Sequence, residues 1–141
     1  MNRRNFNQTL KYTPKTWSFM LYFFLLILVF LLFYGRKTES LRVEYFMKIW
    51  PGFYQNISNF SLSYLLYTGI GFFWLMAGIS TKHILYLGLT LIALNLIYEL
   101  FIPVLNTPDI VDAWFGIIGS FLGGIFLFLI HRYGLKPNPE N

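Results

Sequence analysis

The chain has 141 residues, of which 56% are hydrophobic, 21% aromatic and only 12% charged, and its formal net charge is +5. A soluble domain of this size carries about twice that charged fraction on its surface, so the composition excludes an ordinary soluble enzyme and a disordered segment. Because the chain contains no cysteine, a disulfide-stabilised scaffold and a thiolate metal site are excluded as well. The class that remains is an integral membrane protein, with residues 1–141 forming a single membrane domain.

Four apolar stretches follow one another along the chain, and each is long enough to cross a membrane as a helix. A hydrocarbon core about 30 Å thick requires roughly 20 apolar residues in helical form. None of the stretches alternates polar and apolar residues as a barrel strand would. The sequence therefore predicts an all-α bundle of four transmembrane helices, which cover residues 17–34, 60–79, 84–102 and 110–130.

The segment between the first and second spans, residues 35–59, is rich in aromatic side chains. Glu44 and Lys48 have the spacing of an ion pair on a helix. The pattern predicts a short helix that lies on the outer membrane surface and ends at Trp50-Pro51-Gly52. Basic residues precede the first span, as in a signal peptide, but no cleavage pattern of small residues follows it, so we interpret it as a retained helix.

The distribution of Lys and Arg predicts the orientation, because cytoplasmic segments are enriched in these residues. With both termini inside, the inner segments contain seven bases, and the outer segments contain four. The connection over residues 103–111 contains none, as suits an outer loop. We therefore predict a multi-pass protein of the cell membrane with both termini cytoplasmic. The seven inner bases are Arg3, Arg4, Lys11, Lys15, Lys82, Arg132 and Lys136, and the four outer bases are Arg36, Lys37, Arg42 and Lys48.

The fourth span carries small residues at a spacing that permits close helix packing. Helices in lipid associate through close backbone approach and polar contacts. We expect the second, third and fourth spans to form the tight core, with the first span at the periphery because it contains hardly any small residue. The predicted packing residues are Gly116, Gly119, Ser120, Gly123 and Gly124.

Acidic residues gather at one end of the predicted bundle. Glu99 lies inside the third span near its outer end, where an acid costs free energy of insertion, and Asn95 lies one turn earlier on the same face. Asp109 and Asp112 stand at the entrance of the fourth span. Since the adjoining loop has no cation, either one carboxyl group keeps a proton or a cation binds there.

Simpler roles stay open for the same acids. Thr107 as N-cap, Pro108 at the first helical position and Asp109 near the helix dipole make an ordinary helix start. Asp112 serves the dipole equally well, and Glu99 as a solvated interfacial acid also stays open. No nucleophile motif, phosphate-binding glycine loop or metal-ligand spacing occurs, so the sequence predicts no cofactor, no metal site and no catalytic residue.

The order of these features resembles the VanZ-like family of small integral membrane proteins, over the second to fourth spans. Glu99 matches the first residue of that family's Glu-x-x-Gln element, and Asp112, Gly119 and Gly123 match its Asp-x-x-x-Asn-x-x-Gly-x-x-x-Gly element. Tyr64 corresponds to the Tyr of its His-x-x-x-Tyr element. The chain departs from the family pattern at Phe60, Ile102 and Gly116, and its turn Asn106-Thr107-Pro108 has no arginine.

The resemblance implies a cell-envelope protein, in a family with members associated with resistance to the glycopeptide antibiotic teicoplanin. We expect a non-enzymatic protein that binds a polar head group or a cation in an outer-facing acidic pocket. One alternative is a membrane enzyme that uses Glu99 and Asp112 as acid and base on a lipid-linked substrate. The other is an accessory or scaffolding subunit that docks a partner membrane protein. The expected partners are the lipid bilayer and an envelope lipid or a membrane protein, not nucleic acid, and a homo-oligomer stays open. The predicted binding residues are Glu99, Asp109, Asp112, Asn95 and Tyr64.

Overall fold

The structure, a computed structural model that describes residues 10–101 and 109–139, confirms the predicted all-α bundle. Four of its helices are long and apolar enough to cross a membrane. In chain order the elements are β1 (Tyr12–Pro14), α1 (Thr16–Tyr34), α2 (Glu44–Ile49), α3 (Phe53–Ala77), α4 (Thr81–Phe101), α5 (Ile110–Leu129) and β2 (Leu135–Pro137). A 3-10 turn over Glu39–Leu41 precedes α2, and a π-helical turn over Ile130–Gly134 extends α5.

The second spanning helix starts well before the predicted residue 60. It begins at Phe53 and so includes a polar stretch around Gln55 and Asn56. Hydropathy marks the part of a helix that suits the membrane interior, whereas the helix itself continues as long as its backbone hydrogen bonds do. The helix ends at Gly78, which adopts the left-handed conformation with φ of 78° and donates its N–H to the carbonyl of Leu75.

The connection between α1 and α3 contains the short aromatic helix that the sequence predicts. α2 covers Glu44–Ile49 and is followed by Trp50 in an extended conformation. Glu44 and Lys48 approach to 3.9 Å on its exposed side. The ring of Phe46 stacks on Phe53 with centroids 4.7 Å apart, so α2 folds back against the start of α3.

The two ends of the described chain meet in a small β ribbon that the sequence did not indicate. β1 pairs with β2 antiparallel, with Tyr12 opposite Pro137. The buried hydroxyl of Ser18 donates to the carbonyl of Gly134 at 2.7 Å and ties α1 to this ribbon. The N-terminal and C-terminal segments therefore lie at the same end of the bundle, as four spans require.

Helices α3 and α5 form the tight pair of the bundle. Half of the residues in an 18-residue apolar stretch of each of these two helices are buried, compared with 17% for α4 and 11% for α1. α4 packs against both helices of this pair, whereas α1 packs mainly against α3, although little of either helix is buried. The residues that α4 buries are Ile84, Gly88 and Glu99. α1 attaches through Tyr22, whose ring stacks on Phe72 of α3 at 4.5 Å.

Candidate functional site

The small residues of α5 lie where this helix meets α3 and α4. A Cβ atom at Gly119 would collide with the backbone carbonyl of Phe60, so α5 touches the backbone of α3 there. At Gly123 it would lie 3.3 Å from Thr68 Cγ2, and at Gly124 it would lie 3.4 Å from the ring of Tyr67. Ser120, with an exposed fraction of 1%, lies on the same buried side. The contacts become less tight from Gly119 toward Gly124.

The side chain of Asn95 occupies the space that Gly116 leaves open. A Cβ atom at Gly116 would overlap the amide group of Asn95. That amide donates to Ser63 Oγ of α3 at 3.0 Å. One glycine of α5 thus allows a polar side chain of α4 to reach a hydroxyl group of α3, which joins three helices inside an apolar bundle.

Glu99 lies one turn further along α4 and is almost fully buried, with an exposed fraction of 2%. Its Oε1 atom accepts a hydrogen bond of 2.7 Å from the side-chain amide of Asn59 on α3. Burial of a carboxyl group costs free energy unless donors replace its water. The burial argues against a solvated interfacial acid, and Asn59 supplies one of the donors that such a group needs.

Asp109 and Asp112 stand at the start of α5 and have different roles there. Asp109 is the N-cap, and its Oδ1 accepts the backbone N–H of Val111 at 2.8 Å. Capping, one of the roles that the sequence left open for Asp109, is therefore the role that it has, whereas Thr107 lies outside the described residues. Asp112 is half-buried in the first turn and lies within electrostatic range of Glu99 and Asp109.

A positive charge reaches this acidic end from a part of the chain that sequence reasoning did not connect with it. Arg36 follows α1, and its guanidinium donates a hydrogen bond to Ser58 Oγ of α3. It also lies within electrostatic range of Asp112. The sequence offered a partial signal, because Ser58, Asn59 and Ser63 are polar residues close together in a helix that soon becomes apolar.

Tyr64 lies on the same helix but is not joined to the acids. It is buried, and its ring packs against Phe60 with centroids 6.1 Å apart. Within residues 10–101 and 109–139, no hydrogen bond links its hydroxyl to Glu99, Asp109 or Asp112. The structure thus brings together Glu99, Asp109, Asp112 and Asn95 at one end of the bundle and places Tyr64 beside them as a packing residue. Ile102, Asn106, Thr107 and Pro108 lie outside the described residues.

The acidic end does not form a metal-ligand set in the part of the chain that the structure describes. No three His, Cys, Asp or Glu side chains there are arranged to hold a metal ion. Carboxylate oxygens and side-chain amides accept and donate hydrogen bonds, however, and they suit an organic group that bears ammonium or hydroxyl donors.

Comparisons of the chain with models of known protein families, with curated proteins and with solved structures find no significant match. The geometry described above is therefore the basis on which we interpret the site.

Proposed function

We propose that this chain is a VanZ-like membrane protein of the cell envelope that binds the polar head group of an envelope lipid at its acidic end. One observation carries this proposal. Glu99 is 2% exposed within a membrane-spanning helix, and its carboxyl group accepts a hydrogen bond from another spanning helix. Acidic residues inside membrane spans are costly and are characteristic of binding sites and ion pathways.

The balance of charge at this end favours a ligand with hydrogen-bond donors. Glu99, Asp109 and Asp112 contribute three carboxyl groups, and Arg36 brings one positive charge toward them. Asp109 and Asp112 are both half-buried at the entrance to α5, and Asp109 already caps that helix, so Asp112 is the acid best placed to meet a group that arrives from the membrane surface. An ammonium or hydroxyl group would reduce the repulsion among the carboxylates.

Glu99 and Asp109 already have structural roles, and these roles are compatible with a binding site that carries out no catalysis. Glu99 accepts from Asn59, and Asp109 caps α5. Within residues 10–101 and 109–139, the cluster supplies no serine, cysteine or histidine with a base beside it, as nucleophilic catalysis requires. The resemblance to the VanZ-like family supports a role at the cell envelope and an effect on the susceptibility of cells to teicoplanin.

The orientation belongs to the same proposal. We infer that both termini are cytoplasmic in the cell membrane, since the predicted inner segments contain seven bases and the outer segments four. Arg3 and Arg4 precede the described residues. Because the chain has no cysteine, Lys82→Cys and Asn106→Cys can be labelled singly in intact cells with a membrane-impermeant maleimide. We expect labelling at position 106 alone, and labelling at position 82 alone would reverse the orientation.

A substitution that keeps the shape of Glu99 tests the proposed binding. Glu99→Gln replaces the buried carboxyl group by a neutral amide of the same shape, and Glu44→Gln does the same at an exposed glutamate as the matched control. Native mass spectrometry of the purified chain with phosphatidylethanolamine should show at least about ten-fold weaker binding for Glu99→Gln, since a hydrogen bond to a charged group contributes about 1.5–3 kcal/mol. The control should match wild type.

The cellular arm of the test uses a bacterial host that expresses each variant at equal levels. Wild type and Glu44→Gln should change teicoplanin susceptibility alike, and Glu99→Gln should leave it as in cells without the chain. A Glu99→Gln protein that is normally expressed, binds phosphatidylethanolamine as wild type does and retains the effect on susceptibility would overturn the proposed function.

A further inference from the structure

A groove of about 600 Å³ lies between α4 and α5 at the end of the bundle opposite Glu99. Tyr67 of α3 forms its floor, where Gly88 and Gly124 leave room for the ring. Lys82 and His131 line its mouth. Its walls are large apolar side chains that are exposed along the two helices, namely Leu85 and Leu89 of α4 and Phe121, Ile125 and Phe128 of α5.

The length of the groove corresponds to one leaflet of a bilayer. Its lining on α4 extends from Thr81 to Ile92, which is about 16 Å at 1.5 Å per helical residue. Half of a hydrocarbon core about 30 Å thick has the same depth. A groove of this depth suits one extended acyl chain of a single leaflet.

Among the residues that the structure describes, the charge around the mouth of the groove has one sign. Within residues 10–101 and 109–139, all five acids lie at the other end of the bundle or in the connection between α1 and α3, and none lies at the end that carries β1 and β2. Anionic lipid head groups are attracted to such a basic surface. The basic residues described at this end are Lys11, Lys15, Lys82, Arg132 and Lys136, together with His83 and His131.

We propose that this groove binds one acyl chain of an anionic phospholipid, with the lipid phosphate beside Lys82 and His131. The apolar walls take the chain, and the basic mouth takes the head group. This site lies at the opposite end of the bundle from Glu99, so it is independent of the function proposed above.

Photo-crosslinking in a bilayer tests the proposal. The full chain is reconstituted with phosphatidylglycerol that carries a diazirine midway along one acyl chain, and the labelled peptides are identified by mass spectrometry. We expect the label in the groove-lining parts of α4 and α5, and several-fold less when the probe is phosphatidylcholine. Lys82→Glu should lower the label at least about five-fold, since one basic residue near the surface contributes about that factor to the binding of anionic lipid. Lys136→Glu, an exposed base at the same end but outside the groove lining, should lower it much less.

A second variant addresses the apolar part of the site. Ile125→Trp fills the groove from an exposed position of α5, and it should abolish the groove label. Lys82 is exposed, so its substitution tests the proposal even where Ile125→Trp fails to fold. Equal labelling by both lipids, an equal loss with Lys136→Glu, or competition by free glycerol phosphate would overturn it. Glu99→Gln should leave the groove label at the wild-type level.

Discussion

The acidic end and the basic end of this bundle differ in how the same helices contact one another. At the acidic end, Asn59 of α3 donates to Glu99 of α4, and Asn95 of α4 lies against Gly116 of α5 and donates to Ser63 of α3. At the basic end, Lys82 and His131 are exposed, and α4 and α5 separate to leave an apolar groove. The packing of α5 on α3 changes in the same direction, since Gly119 meets the backbone of Phe60 whereas Gly124 meets only a tyrosine ring.

This comparison teaches that polar groups stabilise the bundle only where the backbones are close enough for side chains to reach across. Interhelical hydrogen bonds and small residues act together in membranes, because lipid offers no hydrophobic drive for association. We therefore expect substitutions at the acidic end to affect folding strongly and substitutions at the basic end to affect mainly ligand binding. The predictions below concern the free energy of unfolding in mixed micelles.

The largest effect should come from Gly119→Ala. The added methyl group meets the carbonyl of Phe60, and a backbone group cannot move away as a side chain can. We expect a loss of about 1–3 kcal/mol or more. Gly124→Ala is the matched control, because its methyl group would lie in ordinary contact 3.4 Å from Tyr67 and should cost much less. An equal loss in free energy of unfolding for the two variants would contradict the difference in packing between Gly119 and Gly124.

Asn59→Ala should have the next largest effect. The substitution removes the hydrogen bond that Asn59 donates to the Glu99 carboxyl group, which is 2% exposed. We expect a loss of about 1.5–3 kcal/mol in the free energy of unfolding, as is typical of hydrogen bonds to charged groups. The matched control at the basic end is Ser80→Ala, which breaks the exposed 2.7 Å contact between Ser80 Oγ and His83. The control should stay near wild type, and a similar cost for both would show that burial does not matter here.

Ser63→Ala should have a smaller effect, about 0.5–1.5 kcal/mol, because it removes a neutral hydrogen bond from the Asn95 amide. Ser61 lies on the same helix and is also buried, but its hydroxyl has no hydrogen-bond partner within the described ranges. Ser61→Ala should therefore be neutral or slightly stabilising. An equal loss in free energy of unfolding for Ser61→Ala and Ser63→Ala would show that the hydrogen bond of Ser63 does not contribute to stability.

The smallest effect should belong to Lys82→Glu. The side chain is exposed at the mouth of the groove, and substitutions of this kind change the free energy of unfolding by about 0.5 kcal/mol or less. The same variant should nevertheless reduce binding of the photoreactive phosphatidylglycerol. A strong loss of stability would mean that Lys82 belongs to the fold and not to a lipid site.

Much of the fold can be predicted from the sequence, because hydropathy alone identifies the four spans and the spacing of Gly116, Gly119 and Gly123 marks one face of α5. The same kind of argument places Asn95 and Glu99 on one face of α4. The early start of α3 at Phe53 is missed, since hydropathy does not register a helix that continues through polar residues. The β ribbon is missed as well, because strands of three residues carry too few positions for an alternating pattern.

The partners within the site are harder to predict than its acids. Asn59 reaches Glu99 because of the register in which α3 packs against α4, and no local pattern determines the register between two distant helices. Arg36 reaches the acidic end because the segment after α1 returns to α3. A search confined to the loop next to the acids therefore finds no cation, although the fold supplies one.

A double-mutant cycle between Asn59 and Glu99 tests the central claim most directly, namely that neighbouring helices satisfy the buried acid. The cycle compares the cost of Asn59→Ala in the wild-type chain with its cost in the Glu99→Leu background. We predict a coupling of at least about 0.5 kcal/mol, as is typical of side chains in direct contact, with Asn59→Ala close to neutral once the carboxyl group is gone. An Asn59→Ala cost that is the same in both backgrounds would show that the two side chains do not meet.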